Sequence, residues 1–201
     1  MPFMPARAYE FFQYMISQDG KLDYRSFDIA SPRSYKDRLL EISAMIDSNN
    51  LDLSAFAAAG GRIIPVQSTE DPSVTPLGTA AYFDEVVETL GEVETASFMS
   101  FYMLPGLAHG NGSFAPTWDS LGALDNWGTH GVEPVGYGAT DTTETETRGR
   151  TLPVCQYPSW TRFNGEGDVR NRKFRMRSKR LGLVQPMSGG PQRAAFFYLM
   201  S

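Results

Sequence analysis

The first 130 residues carry apolar side chains at the spacing of amphipathic helices. From Ala8 to Ile16 these side chains recur every three or four residues, which places them on one helical face. The same period predicts a helix over Ser34–Ile46, a short helical turn over Leu51–Ala59 and a longer helix over Pro76–Leu90. A further helix is predicted over Thr117–Trp127. Each of these helices has an apolar stripe that must be covered in the folded protein.

Two short apolar runs lie between the helices and predict buried strands, Arg62–Val66 and Ser97–Leu104. Pro65 is unusual for a central strand, because proline cannot donate a hydrogen bond to the ladder. The order strand, helix, strand, helix is typical of a parallel sheet with right-handed crossovers. We therefore expect an α/β fold, built on a partial parallel sheet with flanking helices.

The chain after Trp127 has no clear period. Gly128–Gly149 is loop-like, and its threonine- and glutamate-rich part, Asp141–Thr147, is expected to be exposed. Residues 150–168 are rich in proline, glycine and aromatic residues and predict an irregular strap packed on the surface. Beyond Arg170 we expect a poorly ordered C-terminal tail.

The composition is that of an ordinary soluble globular protein, with 41% apolar and 20% charged residues. No apolar run approaches the roughly 18 residues of a membrane helix, so we expect no membrane span. The N-terminus lacks the pattern of a signal peptide. The one cysteine, Cys155, excludes an intramolecular disulfide and a multi-cysteine zinc site. The two histidines, His109 and His130, leave few places for acid–base chemistry near neutral pH.

The formal net charge is −5, yet Arg170–Arg180 holds seven basic residues and no acidic one. A run of this kind can bind an anionic partner. A solvated basic tail is the commoner explanation, and no nucleic-acid-binding motif accompanies the run. We therefore do not expect nucleic-acid binding.

A carboxylate and an imidazole follow the two predicted strands: Asp71 comes after the first and His109 after the second. Neighbouring parallel strands lie about 4.8 Å apart, so loops that leave their same ends can bring these side chains into contact. Such a pair is the acid–base half of an acyl-transfer triad, in which the histidine takes a proton from a serine. The structural alternatives are an Asp-Pro turn for Asp71 and a backbone-bonded loop histidine for His109. His130 ends a predicted helix, and we interpret it as structural.

Three ordered motifs surround the two residues: Asp52–Pro76, Leu104–Trp127 and Arg150–Asp168. Together they resemble the tannase and feruloyl esterase family, of α/β-hydrolase fold, from about residue 11 to residue 174. The resemblance implies a hydrolase of small or polymeric aromatic carboxylic esters, with Asp71 as triad acid and His109 as triad base. It implies no cofactor, and the calcium site of the family's lid has no counterpart here.

The sequence departs from the family pattern at the nucleophile. Family members run serine, lid insertion, aspartate, histidine, and in that alignment this chain begins near the end of the lid. No Gly-x-Ser-x-Gly segment stands at a strand–helix turn. The nearest hydroxyls are Ser68, three residues before Asp71, and Ser113, four residues after His109. Gly110 occupies the place where the family carries a cysteine bridged to one beside the serine.

We therefore predict three regions: residues 1–50 resemble the end of a lid, residues 51–169 the C-terminal part of an α/β-hydrolase, and residues 170–201 are a basic tail. The favoured function is hydrolysis of aromatic esters by the Asp-His pair, with an absent or improvised nucleophile. The alternative is a non-catalytic remnant or subunit that binds a partner chain or an aromatic ligand.

A partial sheet leaves an exposed edge, which predicts association with a second copy or with a separately encoded N-terminal half. Members of the family are usually exported, but no export pattern is visible here. The cellular location of the protein is therefore left open.

Overall fold

The computed structural model describes residues 8–23, 25, 27–28, 30–110, 112, 114–167 and 173–177. The chain divides into two compact units between Asn49 and Asn50. Across the described ranges, no helix combines the length and the hydropathy needed to cross a bilayer.

The first unit is helical. It contains α1 (Phe11–Ser17), which is wound as a π-helix, and a 3₁₀ turn (Arg33–Tyr35) that leads into α2 (Lys36–Ile46). The apolar faces predicted for these segments supply its core, since Phe12, Ile16 and Ile42 are buried together.

The second unit begins with helices and strands in alternation. Its elements are α3 (Ser54–Ala58), β1 (Val66–Ser68), α4 (Pro76–Leu90), α5 (Glu92–Phe98), β2 (Tyr102–Leu104), β3 (Pro116–Thr117), α6 (Ser120–His130), β4 (Gly138–Asp141), β5 (Thr151–Pro153), β6 (Trp160–Phe163) and β7 (Phe174–Arg177).

A parallel pair of strands, β1 and β2, positions the candidate site. Val66 pairs with Tyr102 and Ser68 with Leu104, while Ile63 and Met99 form a parallel bridge ahead of the ladder. Helix α4 lies in the crossover between the strands and spans the predicted residues, because Pro76 opens it and Gly91, at φ +88°, ends it.

Both strands of the parallel pair begin later in the chain than predicted. The ladder of β1 starts after Pro65, which has no N–H to donate. The apolar run that begins at Ser97 belongs in part to α5, which continues to the buried Phe98. Glu92 and Glu94 in its first turn favour this helix, since acidic side chains stabilise a helix N-terminus.

The second unit is held by two apolar clusters. Val86 of α4 packs with Phe98 and Met99, and all three are nearly inaccessible to solvent. Tyr102 and Leu104 of β2 form the second cluster together with Ala139 and Val154. The strand that precedes His109 is therefore anchored in the interior, which fixes the start of the loop that follows it.

The chain on both sides of α6 is more regular than predicted. β3, β4 and β5 form an antiparallel sheet, and β6 and β7 form a two-stranded antiparallel pair. The expectations of a loop over Gly128–Gly149 and of an irregular strap over residues 150–168 are wrong where these strands lie. Strands of two to four residues are too short to show a period, and β6 is mostly exposed, so it lacks apolar alternation.

Three further expectations fail in the second unit. Asp141, expected to be exposed, is only 1% accessible. Phe174–Arg177, within the predicted tail, forms β7, while residues 170–172 and 178–201 lie outside the described residues. Helix α6 also begins three residues later than predicted, because Asp119 caps it by accepting the Gly122 N–H at 2.8 Å.

Candidate active site

Asp71 lies in the turn that joins β1 to α4. The Oδ1 atom of its carboxylate accepts the backbone N–H of Ser73 at 2.7 Å and that of Val74 at 2.9 Å. These two hydrogen bonds within the turn hold the side chain in one orientation, and they leave Oδ2 directed at a different partner. Its side chain is 9% exposed.

His109 lies in the loop that follows β2. Gly106, at φ +85°, turns the chain directly after β2, and a Cβ atom there would lie 3.0 Å from Cδ1 of Phe114. The buried ring of Phe114 therefore packs against the entry to the loop. The guanidinium of Arg150 lies over this ring, 4.5 Å from its centroid.

The structure brings Asp71 and His109 together across the parallel pair. Nδ1 of His109 lies 3.0 Å from Oδ2 of Asp71, although 38 residues separate the two in sequence. The distance is that of a direct hydrogen bond. Since β1 and β2 are in parallel register and both residues follow the C-terminal ends of their strands, this contact is a product of the strand geometry.

The electrostatics of Asp71 fix the roles of donor and acceptor. Burial alone would raise the pKa of Asp71, but the hydrogen bonds from Val74, His109 and Ser73 outweigh it and hold the pKa below its ordinary value of 3.8. Asp71 is therefore ionised at neutral pH, and an ionised carboxylate only accepts hydrogen bonds. It follows that Nδ1 of His109 carries the proton, so Nε2 is the ring atom that can act as a base.

The two candidate nucleophiles have different outcomes. Ser68 is the last residue of β1 and is 7% exposed, and its Oγ accepts the backbone N–H of Glu70 at 3.4 Å. The Ser68 hydroxyl is thus hydrogen-bonded within the turn that follows β1. Ser113 lies outside the described residues. The catalytic roles of Asp71, His109, Ser68 and Ser113 stay predictions.

A buried glutamine, which the sequence did not predict, lies on the strand that leads to Asp71. Gln67, the middle residue of β1, is 7% exposed and donates from Nε2 to the backbone oxygens of Ser68 and Val74. Its Oε1 accepts the hydroxyl of Thr79 in α4. Gln67 directly follows the apolar run Arg62–Val66 and is itself followed by polar residues, so the sequence pattern carried no signal of this role.

The remaining candidate groups lie in structural settings. His130 is the last residue of α6, where a basic residue complements the helix dipole. Cys155 is a buried free thiol, and burial raises its pKa. Within the described part of the chain, no group of three or more His, Cys, Asp and Glu side chains is arranged to hold a metal ion.

Comparison with known proteins identifies the family. The sequence profile described as tannase and feruloyl esterase matches residues 3–175. The chain belongs to this family. The chain is also similar to an uncharacterized esterase of Agrobacterium fabrum, with 46% identity over 164 residues. That alignment covers 82% of this chain and 30% of the relative.

Solved esterases share the fold. An esterase from Aspergillus oryzae superposes with a TM-score of 0.69 at 19% identity, covering 84% of this chain and 37% of that one. Feruloyl esterase B from the same species gives a TM-score of 0.68 at 20% identity, covering 81% and 35%. These neighbours are of α/β-hydrolase type. The family member described here thus spans about a third of the length of the relatives it matches.

Proposed function

We propose that this member of the tannase and feruloyl esterase family hydrolyses carboxylic esters, with His109 as the acid–base residue and Asp71 as its orienting carboxylate. The contact of 3.0 Å between Nδ1 and Oδ2 carries the proposal. In this arrangement Nε2 takes the proton of the attacking hydroxyl or water while the new carbon–oxygen bond forms. The imidazolium then returns that proton to the leaving alcohol as the ester bond breaks.

We propose aromatic carboxylic esters as the substrate class. The support is the family itself together with the shared fold of feruloyl esterase B. His109 is 34% exposed, so a substrate can reach the imidazole from solvent.

The test is ester hydrolysis by His109→Ala beside a matched histidine variant. We expect kcat/KM for methyl ferulate to fall by about 10²–10⁴-fold, the range for loss of a positioned acid–base group. His130→Ala removes the other histidine, at the end of α6, and should retain the wild-type rate. Equal turnover by wild type and His109→Ala would overturn the proposal.

For the nucleophile, we favour a group other than Ser68. Its burial and its bond from the Glu70 N–H oppose attack on a substrate. Labelling with a fluorophosphonate ester, followed by mass spectrometry of the peptides, separates the remaining routes. A label on Ser113 that Ser113→Ala abolishes assigns the attack to this serine. Hydrolysis without any label assigns it to water, and a label on Ser68 contradicts our preference.

A second candidate function, binding of another polypeptide, is favoured by the outer edge of β1. Within the described residues β1 pairs with β2 alone, and Val66 on this strand is 43% exposed. Pro65 and Thr69 bond to β2, so the backbone groups of Val66 and Ser68 face the other way. An open edge is a template for another strand, and we propose a second copy of the chain as the occupant.

Sedimentation velocity tests this pairing. Val66→Lys places a charge on the edge and should convert a dimer to a monomer, while Leu77→Lys, at an 80% exposed position of α4, should leave the dimer intact. A wild-type protein that sediments as a monomer at all concentrations would overturn the pairing of two copies.

A further inference from the structure

We propose that Gln67 is a positioning residue for Asp71, and that its side-chain amide holds the turn in which the carboxylate is oriented. The proposal rests on the function proposed above for the Asp71–His109 pair. Gln67 itself is not placed in contact with a reacting atom. It acts through the backbone of Val74.

The side-chain amide of Gln67 lies in the protein interior. Gln67 is 7% exposed, and an amide withdrawn from water is costly unless its polar atoms are hydrogen-bonded. Nε2 donates at 3.0 Å to the oxygen of Ser68 and at 3.3 Å to that of Val74, and Oε1 accepts from Thr79 Oγ1 at 2.9 Å. An apolar side chain of the same volume would fill the space without these requirements. The amide therefore has a role that volume does not explain.

The three bonds join the parts of the molecule that frame the turn. Ser68 ends β1, Val74 closes the turn, and Thr79 lies in the first part of α4. Gln67 itself is fixed in the ladder opposite Met103 of β2. The amide thus connects β1 to both ends of the turn that carries Asp71, and we call this set of hydrogen bonds the brace.

Val74 links this brace to the carboxylate. Its carbonyl oxygen accepts from Gln67 Nε2, and its N–H donates to Oδ1 of Asp71 at 2.9 Å. The position of Val74 therefore sets the orientation of the carboxylate, and with it the 3.0 Å contact of Oδ2 with His109. If the brace is lost, the turn can move. We then expect the hydrogen bonds that Val74 N–H and His109 Nδ1 make with the carboxylate to weaken.

The test measures the Nδ1 proton of His109 directly. In Gln67→Met, which keeps the volume but removes all three hydrogen bonds of the amide, we expect this proton to exchange with water about tenfold faster, because the turn is then held less tightly. We expect kcat for methyl ferulate to fall by a similar factor of about ten while KM changes less than about twofold. Gln67→Glu, which keeps the shape and loses the Nε2 donors, should change both quantities in the same direction.

Thr89→Val is the matched control. It removes a hydroxyl of α4 that bonds to the Glu85 carbonyl oxygen rather than to Gln67, so proton exchange at Nδ1 should stay close to the wild-type rate. Circular dichroism and thermal melting establish that each variant is folded.

The outcomes separate this inference from the proposed function. Faster exchange in folded Gln67 variants, with no esterase activity in any protein including wild type, supports the positioning role and removes the enzymatic one. Unchanged exchange in a folded Gln67 variant overturns the positioning role whatever happens to kcat. If neither Gln67 variant folds, the residue serves stability, and the inference is overturned as well.

Discussion

In Asp71→Asn, the side chain keeps its shape but one carboxylate oxygen becomes an NH₂ group. Oδ1 of Asp71 accepts two backbone N–H groups, from Ser73 and Val74, so the amide oxygen must take that place. The NH₂ group is then directed at Nδ1 of His109. A donor opposite Nδ1 forces the imidazole into the tautomer with its proton on Nε2, and Nε2 can then no longer accept a proton.

The size of the effect follows from this change of tautomer. Loss of the base through the wrong tautomer lowers kcat by about 10⁴-fold in a serine hydrolase triad, which corresponds to about 5 kcal/mol of transition-state free energy. Stability should change much less, by about 1–2 kcal/mol, because the amide oxygen keeps both backbone bonds and only the charge is lost. The prediction is therefore a large kinetic effect in a folded protein.

Ester kinetics and imidazole ¹⁵N chemical shifts, recorded on the same samples, check both parts. Glu70→Gln is the control, since it makes the same change of a carboxylate to an amide one residue earlier, on an exposed side chain. The control should match wild type in kcat and in tautomer. Activity in Asp71→Asn within tenfold of wild type, or an unchanged tautomer, would refute the reasoning from the two backbone bonds.

Three further predictions concern stability and accessibility. Burial would raise the pKa of Asp141, but hydrogen bonds from Thr143 and Thr147 lower it to about 2. Asp141 therefore binds its proton less readily in the folded protein than in the unfolded chain. It should contribute about 2 kcal/mol to the free energy of unfolding above pH 4, lost as the pH falls from about 4 to 2. In urea unfolding, the free energy of unfolding should fall less between pH 5 and pH 2.5 for Asp141→Asn than for wild type. An equal fall in both proteins would contradict this account. Gly106→Ala should destabilise the protein by about 1–3 kcal/mol in the same assay, because it combines strain at positive φ with contact on Phe114; Gly60→Ala, at φ +82° with open space around it, isolates the strain and should cost less. The buried Cys155 should react with a thiol reagent far more slowly in the native protein than in urea, and fast native labelling would show that the site opens.

Some elements follow from signals that lie within a few residues of each other. Helix α4 begins at Pro76 and ends before Gly91, so its bounds could be predicted without knowledge of the rest of the chain. The approach of Asp71 and His109 also follows from local information, namely two strands in sequence with a helix between them, because parallel neighbours place their C-terminal loops side by side.

Other features depend on residues that are far apart in the chain. The register of β4 with β3 and β5, and the burial of Asp141 at its end, arise from pairings between segments too short to carry a period of their own. The stacking of Arg150 on Phe114 likewise joins two segments 36 residues apart.

The candidate site shows the same division. The sequence by itself determined which side chains could carry acid–base chemistry and which strand ends they would follow. Only the tertiary structure decided that Oδ1 of Asp71 is held by two N–H groups, that Gln67 braces the turn and that Ser68 is buried. The physical reason is that side-chain hydrogen bonds and burial are set by packing between elements, and packing is not encoded in the pattern of any one segment.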